Sequence, residues 1–294
     1  MIARTAEPVL ETFRGVEDNK LIGDVVGDVA AAKGTPVLLL HGGGQTRHAW
    51  RKTCELLSDM GRVAYAVDQR GHGDSEWVPS GAYGFPDFAA DARRLSETLT
   101  ERHGVRPVAV GASLGGIASM LAEGQHGPVF SALVLVDITP RVDLDGVAKV
   151  QGFMRSAAKE GFASVDEAAD AVAAYLPHRP RPRSNEGLKK NLRMHPDGRW
   201  RWHWDPRFLD GRRRVGPGGG EVETMLVEAA RKIAIPTLLV RGASSELVKE
   251  EHAKELLELV PQATYVDVSG ARHMVAGDRN DQFADAIKTF IYRF

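Results

Sequence analysis

The stretch Val108–Met120, VAVGASLGGIASM, carries two local instructions end to end. Val108, Ala109 and Val110 form a short apolar run that predicts a buried strand, and from Leu114 onward the residues suit a helix. Between them lies Gly111-Ala112-Ser113-Leu114-Gly115, a G-x-S-x-G pattern in the strand–turn–helix setting that gives it meaning. Glycines at 111 and 115 let strand and helix approach closely, while Ser113 holds a strained turn. Its hydroxyl then projects above the sheet at a helix N-terminus. Negative charge developing there meets free backbone N–H groups and the positive end of the helix dipole. An ordinary Gly-rich strand–helix turn would share the glycines without needing the serine.

Working outward, TPVLLLH (35–41), RVAYAVD (62–68), RPVAVGA (106–112), SALVLVD (131–137) and IPTLLVRG (235–242) are short, nearly continuous apolar runs. ATYVDVSG (263–270) is shorter and more alternating. Such strands imply a mostly parallel sheet covered on both faces. Helical patterns at 50–60, 85–102, 115–123, 249–259 and 281–291 separate them, which predicts an α/β fold with an open, doubly wound sheet. LETF and KLIGDVVGDV near the N-terminus suit a hairpin at one edge. The alternation stops between Arg141 and about Arg231. The expected organisation is therefore a core of residues 1–140 and 231–294 with an inserted, mainly helical cap, or lid, over 141–230. Its basic clusters read as solvated surface, and GPGGG (216–220) as a flexible connection.

The 294 residues carry a formal net charge of -1, which points away from nucleic acid and from anionic membrane surfaces. Cys54 is the single cysteine, so no intrachain disulfide can form. The N-terminal residues lack an apolar leader, and no apolar run approaches the roughly 18 residues of a membrane span. A soluble, cytoplasmic protein is expected. His195 and His203 have no third ligand at a convincing spacing, so neither a metal nor another cofactor is expected.

A serine hydroxyl needs a base. VDVSGARHMVAGDR (266–279) places His273 in a loop between the last strand and the last helix. A loop histidine alone is more often merely exposed; a serine elbow earlier in the chain reverses that preference. LLLHGGGQTRHAW (38–50), VDQRGHGDS (67–75), GASLGG (111–116) and GARHM (270–274) then follow in order. With these motifs the chain resembles the α/β-hydrolase superfamily over nearly its whole length. It looks most like the serine-nucleophile branch containing cofactor-free haloperoxidase-like esterases and C–C-bond and lactone hydrolases. An aspartate nucleophile would indicate an epoxide hydrolase or dehalogenase instead, and Ser113 argues against both.

The resemblance implies Ser113 as nucleophile and His273 as base, with the Gly43 and Leu114 N–H groups forming an oxyanion hole. The side chain usual at position 43 is absent, which implies a roomier acyl pocket on that side. His72 and Asp74 of RGHGDS are read as structural. The usual acid follows the penultimate strand, where related chains show R-G-x-x-S-D-x-V; here RGASSELV (241–248) puts Glu246 in that slot. Asp137, ending the strand SALVLVD, is the alternative acid or an anchor for the cap. Gly44, Phe153, Trp200, Trp202, Trp204 and Met274 are candidates to line the pocket. If Trp200–Trp204 is extended, its tryptophans share one face.

The expected activity is hydrolysis of a small apolar carbonyl compound, an ester or lactone, through an acyl-enzyme. A C–C-bond hydrolase, a perhydrolase-type activity or a non-enzymatic small-molecule sensor are the alternatives; monomer and homodimer both stay open. A nucleotide site at VLLLHGGGQT, with Asp68 on a ribose, would need a third glycine where Arg47 stands.

Overall fold

The computed structural model describes residues 7–32, 34–156, 158–179, 184–215, 220–278 and 280–294. Most of GPGGG and part of the basic stretch 177–184 fall outside the described residues. The chain begins with β1 (Val9–Arg14), β2 (Lys20–Val26) and β3 (Val37–Leu40), then α1 (Arg51–Asp59), β4 (Ala64–Val67), α2 (Phe85–His103) and β5 (Val108–Ala112). It continues through α3 (Leu114–His126) and β6 (Ala132–Val136). There follow α4 (Leu144–Ser156), α5 (Val165–Tyr175), α6 (Glu186–Lys189), β7 (Leu192–Met194), β8 (Trp200–Trp202), α7 (Arg207–Asp210) and α8 (Gly220–Arg231). The last elements are β9 (Thr237–Gly242), α9 (Glu250–Leu259), β10 (Ala263–Val268), α10 (Val275–Asp278) and α11 (Asn280–Ile291).

Eight strands form one sheet in the order β1-β2-β4-β3-β5-β6-β9-β10. The edge hairpin β1–β2 is antiparallel and joins β4 antiparallel, while β4 through β10 run parallel. The apolar runs are continuous because both sheet faces are covered. Leu38, Leu40, Ala109, Leu133, Leu135 and Leu239 point into a core shared with α2, α3, α8 and α9. Val37, Leu39, Val108, Val110, Val134 and Val240 point the other way, onto Trp50, Leu57, Phe283 and Ile287 of the α1 and α11 side. β10 alternates because it is the edge strand, with Val266 exposed. Among the described residues no helix is long and apolar enough to cross a membrane.

Strand order decides where a site can form. From β3 the chain crosses to β4 on one side, then returns to β5 on the other. The loops leaving β3 and β5 therefore diverge and open a crevice at the carboxyl ends of the strands, the usual ligand position in open α/β sheets. His41–Gly44 follows β3 and Ser113 follows β5. Asp137 follows β6, Ser245 and Glu246 follow β9, and His273 follows β10. Between β6 and β9 the described residues form five helices and the β7–β8 hairpin.

Candidate active site

Ser113 sits between β5 and α3 with φ 46° and ψ -111°, a conformation that costs a non-glycine residue on the order of 1–3 kcal/mol. Its surroundings enforce it. Ser113 N donates to Val136 O at 3.2 Å, its carbonyl accepts Ile117 N at 2.9 Å, and Gly115 N donates to His41 O at 3.2 Å. Helix and strands meet without room for side chains: a Cβ on Gly115 would lie 2.2 Å from Leu40 O, and one on Gly111 2.4 Å from Gly115 O. Both obstacles are backbone and cannot rotate away. Gly115→Ala should therefore lower the unfolding free energy by about 3 kcal/mol. Urea denaturation would measure this, and a loss below about 1 kcal/mol would contradict the packing.

The loop after β3 lies beside the elbow. A Cβ on Gly42 would be 3.5 Å from Ser113 Cβ, and one on Gly43 4.0 Å from Leu114 Cβ. Leu114 is the first residue of α3, so its N–H has no acceptor within the helix. Among the described residues, the N–H groups of Gly43 and Leu114 meet no hydrogen-bond acceptor.

The glycine loop is held from below by buried histidine. His41 Nδ1 donates to Gly42 O at 2.8 Å while its Nε2 accepts Gln69 N–H at 3.0 Å, and Gln69 Nε2 returns a bond to His41 O at 2.6 Å. Burial pushes the His41 pKa down to about 4, and it pushes that of His72 down to about 3. Both rings are therefore neutral at pH 7. Arg47 joins Asp24, Asp68 and Asp74, with Arg47 Nη1 2.9 Å from Asp74 Oδ2. Asp68 is fully buried and also accepts the N–H groups of Arg47 and Asp74, at 2.6 and 3.0 Å. A ribose cannot reach that carboxylate. His72 Nδ1 lies 3.0 Å from Arg70 O, and Asp74 pairs with Arg47 and Arg193.

The acid requires a correction. Glu246 was expected on the imidazole, yet it is Asp137 Oδ2 that lies 2.8 Å from His273 Nδ1. The physical reason lies in three contacts. Asp137 adopts φ 50°, and its Oδ1 accepts Gly242 N–H at 2.9 Å. Its Oδ2 accepts the Ser245 hydroxyl at 2.5 Å, and Ser245 Oγ is in turn fixed by the N–H groups of Leu247 and Val248, at 3.1 and 3.0 Å. The histidine loop comes close because residue 242 has no side chain: a Cβ there would lie 2.3 Å from Arg272 O. Asp137 is wholly buried, and the His273 side chain is 13% exposed. Among the described residues, Glu246 makes no bond to His273, and its buried Oε2 has no hydrogen-bond partner.

The expected space at Gly43 is also corrected. A Cβ there would meet Phe208 Cζ at 3.1 Å, so an aromatic ring from α7 occupies the volume. Over Gly44, a Cβ would stand 2.8 Å from Met154 Cε and 3.7 Å from Trp204 Nε1. Of the six candidate pocket residues, Gly44 and Trp204 thus lie together at the glycine loop. Phe153, next to Met154, stacks on Tyr175 with centroids 4.1 Å apart and planes at 6°. Trp202 packs on Phe153 and Phe162. Trp200 pairs through its backbone with Phe162. Met274 accepts Arg179 Nη2 at its carbonyl, 3.2 Å away, and the sequence reading did not foresee that link. Met154, Phe208 and Ser245 were also missed. Only Ser245 had a sequence signal, its place beside the usual acid slot.

A family model described as the alpha/beta hydrolase fold matches residues 35–279. The chain belongs to the α/β-hydrolase family. The hydrolase is 31% identical over 225 residues to an esterase of Mycobacterium tuberculosis, covering 75% of this chain and 70% of that protein. It is 28% identical over 262 residues to 2-(acetamidomethylene)succinate hydrolase of Mesorhizobium japonicum, covering 88% of each. A crystal structure of an E-2-(acetamidomethylene)succinate hydrolase superposes with a TM-score of 0.82, covering 97% of this chain and 99% of that one, at 24% identity. The non-heme chloroperoxidase CPO-A1 of Kitasatospora aureofaciens is 28% identical over 261 residues, covering 84% of this hydrolase and 89% of the relative. These relatives agree with the branch that the motifs suggested.

Proposed function

We propose that this hydrolase is a serine carboxylic-ester hydrolase with Ser113, His273 and Asp137 as its triad. The observation that carries the reading is the 2.8 Å contact of His273 Nδ1 with buried Asp137, on a chain whose Ser113 is held at a strained elbow. Asp137 accepts a hydrogen bond from His273 Nδ1–H, which leaves Nε2 unprotonated to act as the base, and its charge stabilises the imidazolium once it forms. His273 Nε2 takes the Ser113 proton as Oγ attacks the substrate carbonyl. The resulting oxyanion is held by the N–H groups of Gly43 and Leu114, donors of a kind worth roughly 3–4 kcal/mol each in rate. The imidazolium then gives its proton to the leaving oxygen, and the C–O bond breaks. Water, deprotonated by His273, releases the acyl group and restores the serine.

Residues 141–230 serve as a lid over this site, with Met154, Trp204 and Phe208 forming its apolar ceiling. Phe208 over Gly43 favours short acyl groups on that side. The test is covalent: a fluorophosphonate probe, mapped by mass spectrometry, should label Ser113 alone, and Ser113→Ala should reduce hydrolysis of p-nitrophenyl acetate to background. Labelling elsewhere, or equal rates in the two proteins, would overturn the assignment.

A further inference from the structure

The loop that carries His273 is gripped from the segment between β6 and β9 as well as from the sheet. Arg179 belongs to a basic stretch whose charges read as solvated surface, yet its side chain is only 27% exposed and turns onto that loop. A turn after α5 aims it, with Arg179 N–H donating to the carbonyl of buried Leu176 at 3.0 Å. Its guanidinium reaches the loop on both sides of the histidine. Nη2 donates to the carbonyl of Met274, the residue after His273, at 3.2 Å. Nε donates to Asp278 Oδ1 at 2.5 Å, and Asp278 Oδ2 accepts the N–H of Arg272, the residue before His273, at 2.9 Å. Gly277 leaves room for the fork, since a Cβ there would lie 2.8 Å from Arg179 Nη2.

The two halves of the loop are supported differently. Before His273 the chain is fixed to the end of β9: Ser244 N–H donates to Ala271 O at 2.9 Å, and Arg272 O packs over Gly242. After His273 it enters α10, a single turn of four residues, a length that does not hold a helix by itself. Asp278 closes this turn back onto Arg272, and its side chain is 4% exposed. A carboxylate so buried is costly unless it is paired. Burial raises its pKa, but the Arg272 N–H and the Arg179 guanidinium outweigh that and keep it charged. His178 Nε2, 3.3 Å from Asp278 Oδ1, adds charge only when protonated.

We infer that Arg179 is a positioning residue for the proposed catalytic base: bridging Asp278 and Met274 O, it sets where His273 Nε2 stands relative to Ser113. The inference rests on the serine-hydrolase reading above. Arg179 acts through the backbone on either side of His273, not through the imidazole. Misplacing a reacting group by about 1 Å can cost roughly a hundredfold in rate, so loosening this grip lowers turnover and leaves ester binding intact.

The test uses p-nitrophenyl acetate, with kcat counted per serine titrated to completion by a fluorophosphonate, so that unfolded protein does not enter the rate. Arg179→Met, which keeps an apolar stem, should lower kcat roughly tenfold or more while KM changes by less than about twofold. Asp278→Asn keeps an acceptor for Arg272 N–H but removes the charge that Arg179 meets. It should match Arg179→Met, and it supplies the same readings if that variant does not fold. In proton NMR, the downfield resonance of His273 Nδ1–H bonded to Asp137 should broaden or move in both variants. A kcat within about twofold of the wild type, a loss confined to KM, or an unmoved resonance overturns the inference while Ser113-dependent hydrolysis still stands. Wild-type hydrolysis no faster than in Ser113→Ala overturns the serine-hydrolase reading, and the inference falls with it.

Discussion

Replacing Asp137 by asparagine should lower kcat on p-nitrophenyl acetate by roughly 10³–10⁴-fold, the scale expected when the acid behind a catalytic histidine loses its charge. The amide would keep the shape of the side chain and still meet Gly242 N–H and the Ser245 hydroxyl. It would present either an oxygen of much weaker attraction or an NH2 donor to His273 Nδ1. An NH2 there forces the proton onto Nε2, the wrong tautomer for taking a proton from Ser113. Because Asp137 is buried and bonded to Gly242 and Ser245 as well as to His273, water cannot substitute for the missing charge. Glu246→Gln should cost far less on the same ester, since Glu246 makes no bond to His273 among the described residues. Steady-state kinetics of the two variants side by side, with circular dichroism to confirm folding, would read the ranking. A larger loss in Glu246→Gln would return the acid to the β9 loop.

The two acids compete at adjacent strand ends, and the sequence makes both plausible. SALVLVD ends in an aspartate, while RGASSELV fills the usual slot with a glutamate one methylene longer. What separates them is the meeting of three loops: β6 turning at φ 50°, β9 offering Gly242 N–H and Ser245 Oγ, and the His273 loop passing over Gly242. None of these distances is local in sequence. Ser245 shows the consequence most clearly: it adjoins Glu246 in the sequence, yet its hydroxyl bonds Asp137.

The fold was far easier to read. Six apolar runs and a G-x-S-x-G elbow are local signals of period and turn chemistry, and each strand and helix they predict is present within a few residues. The segment between β6 and β9 resisted detail for the opposite reason. Phe208 comes to the glycine loop from α7, just after Trp204 bridges to His72, and Met154 comes to it from the separate helix α4. The sequence Trp200–Trp204 suggested one shared aromatic face. Instead Trp202 packs among Phe153 and Phe162, while Trp204 goes to Gly44 and Phe208.

Acid should destabilise this protein steeply between pH 6.5 and 4, through histidines that the mechanism does not use. His41 and His72 are fully buried with centroids 5.2 Å apart, so protonating one also opposes protonating the other. Their pKa values are pushed from 6.5 to about 4 and about 3, with desolvation the largest cause in each. An unfolded chain binds these protons near pH 6.5, whereas the folded protein refuses them until near its own lower values. Stability is therefore complete above about pH 6.5 and falls with pH as the unfolded state gains protons. Each histidine contributes about 1.4 kcal/mol per pH unit in that window. Together they give roughly 4 kcal/mol between pH 7 and 5, before the smaller contributions of His48 and His203, whose pKa values burial also lowers. Carboxylates held low by ion pairs, such as Asp74 and Asp278, lose their contribution only below the ordinary carboxylate range, which leaves the window above pH 4.5 to the histidines. Urea unfolding at pH 7 and pH 5 would measure the difference, and His72→Gln should shallow the slope by about 1.4 kcal/mol per pH unit. A flat profile would mean that His41 and His72 already carry protons in the folded state. The bond from Gln69 N–H into His41 Nε2 would then be lost, and with it the brace under the Gly42–Gly43 loop.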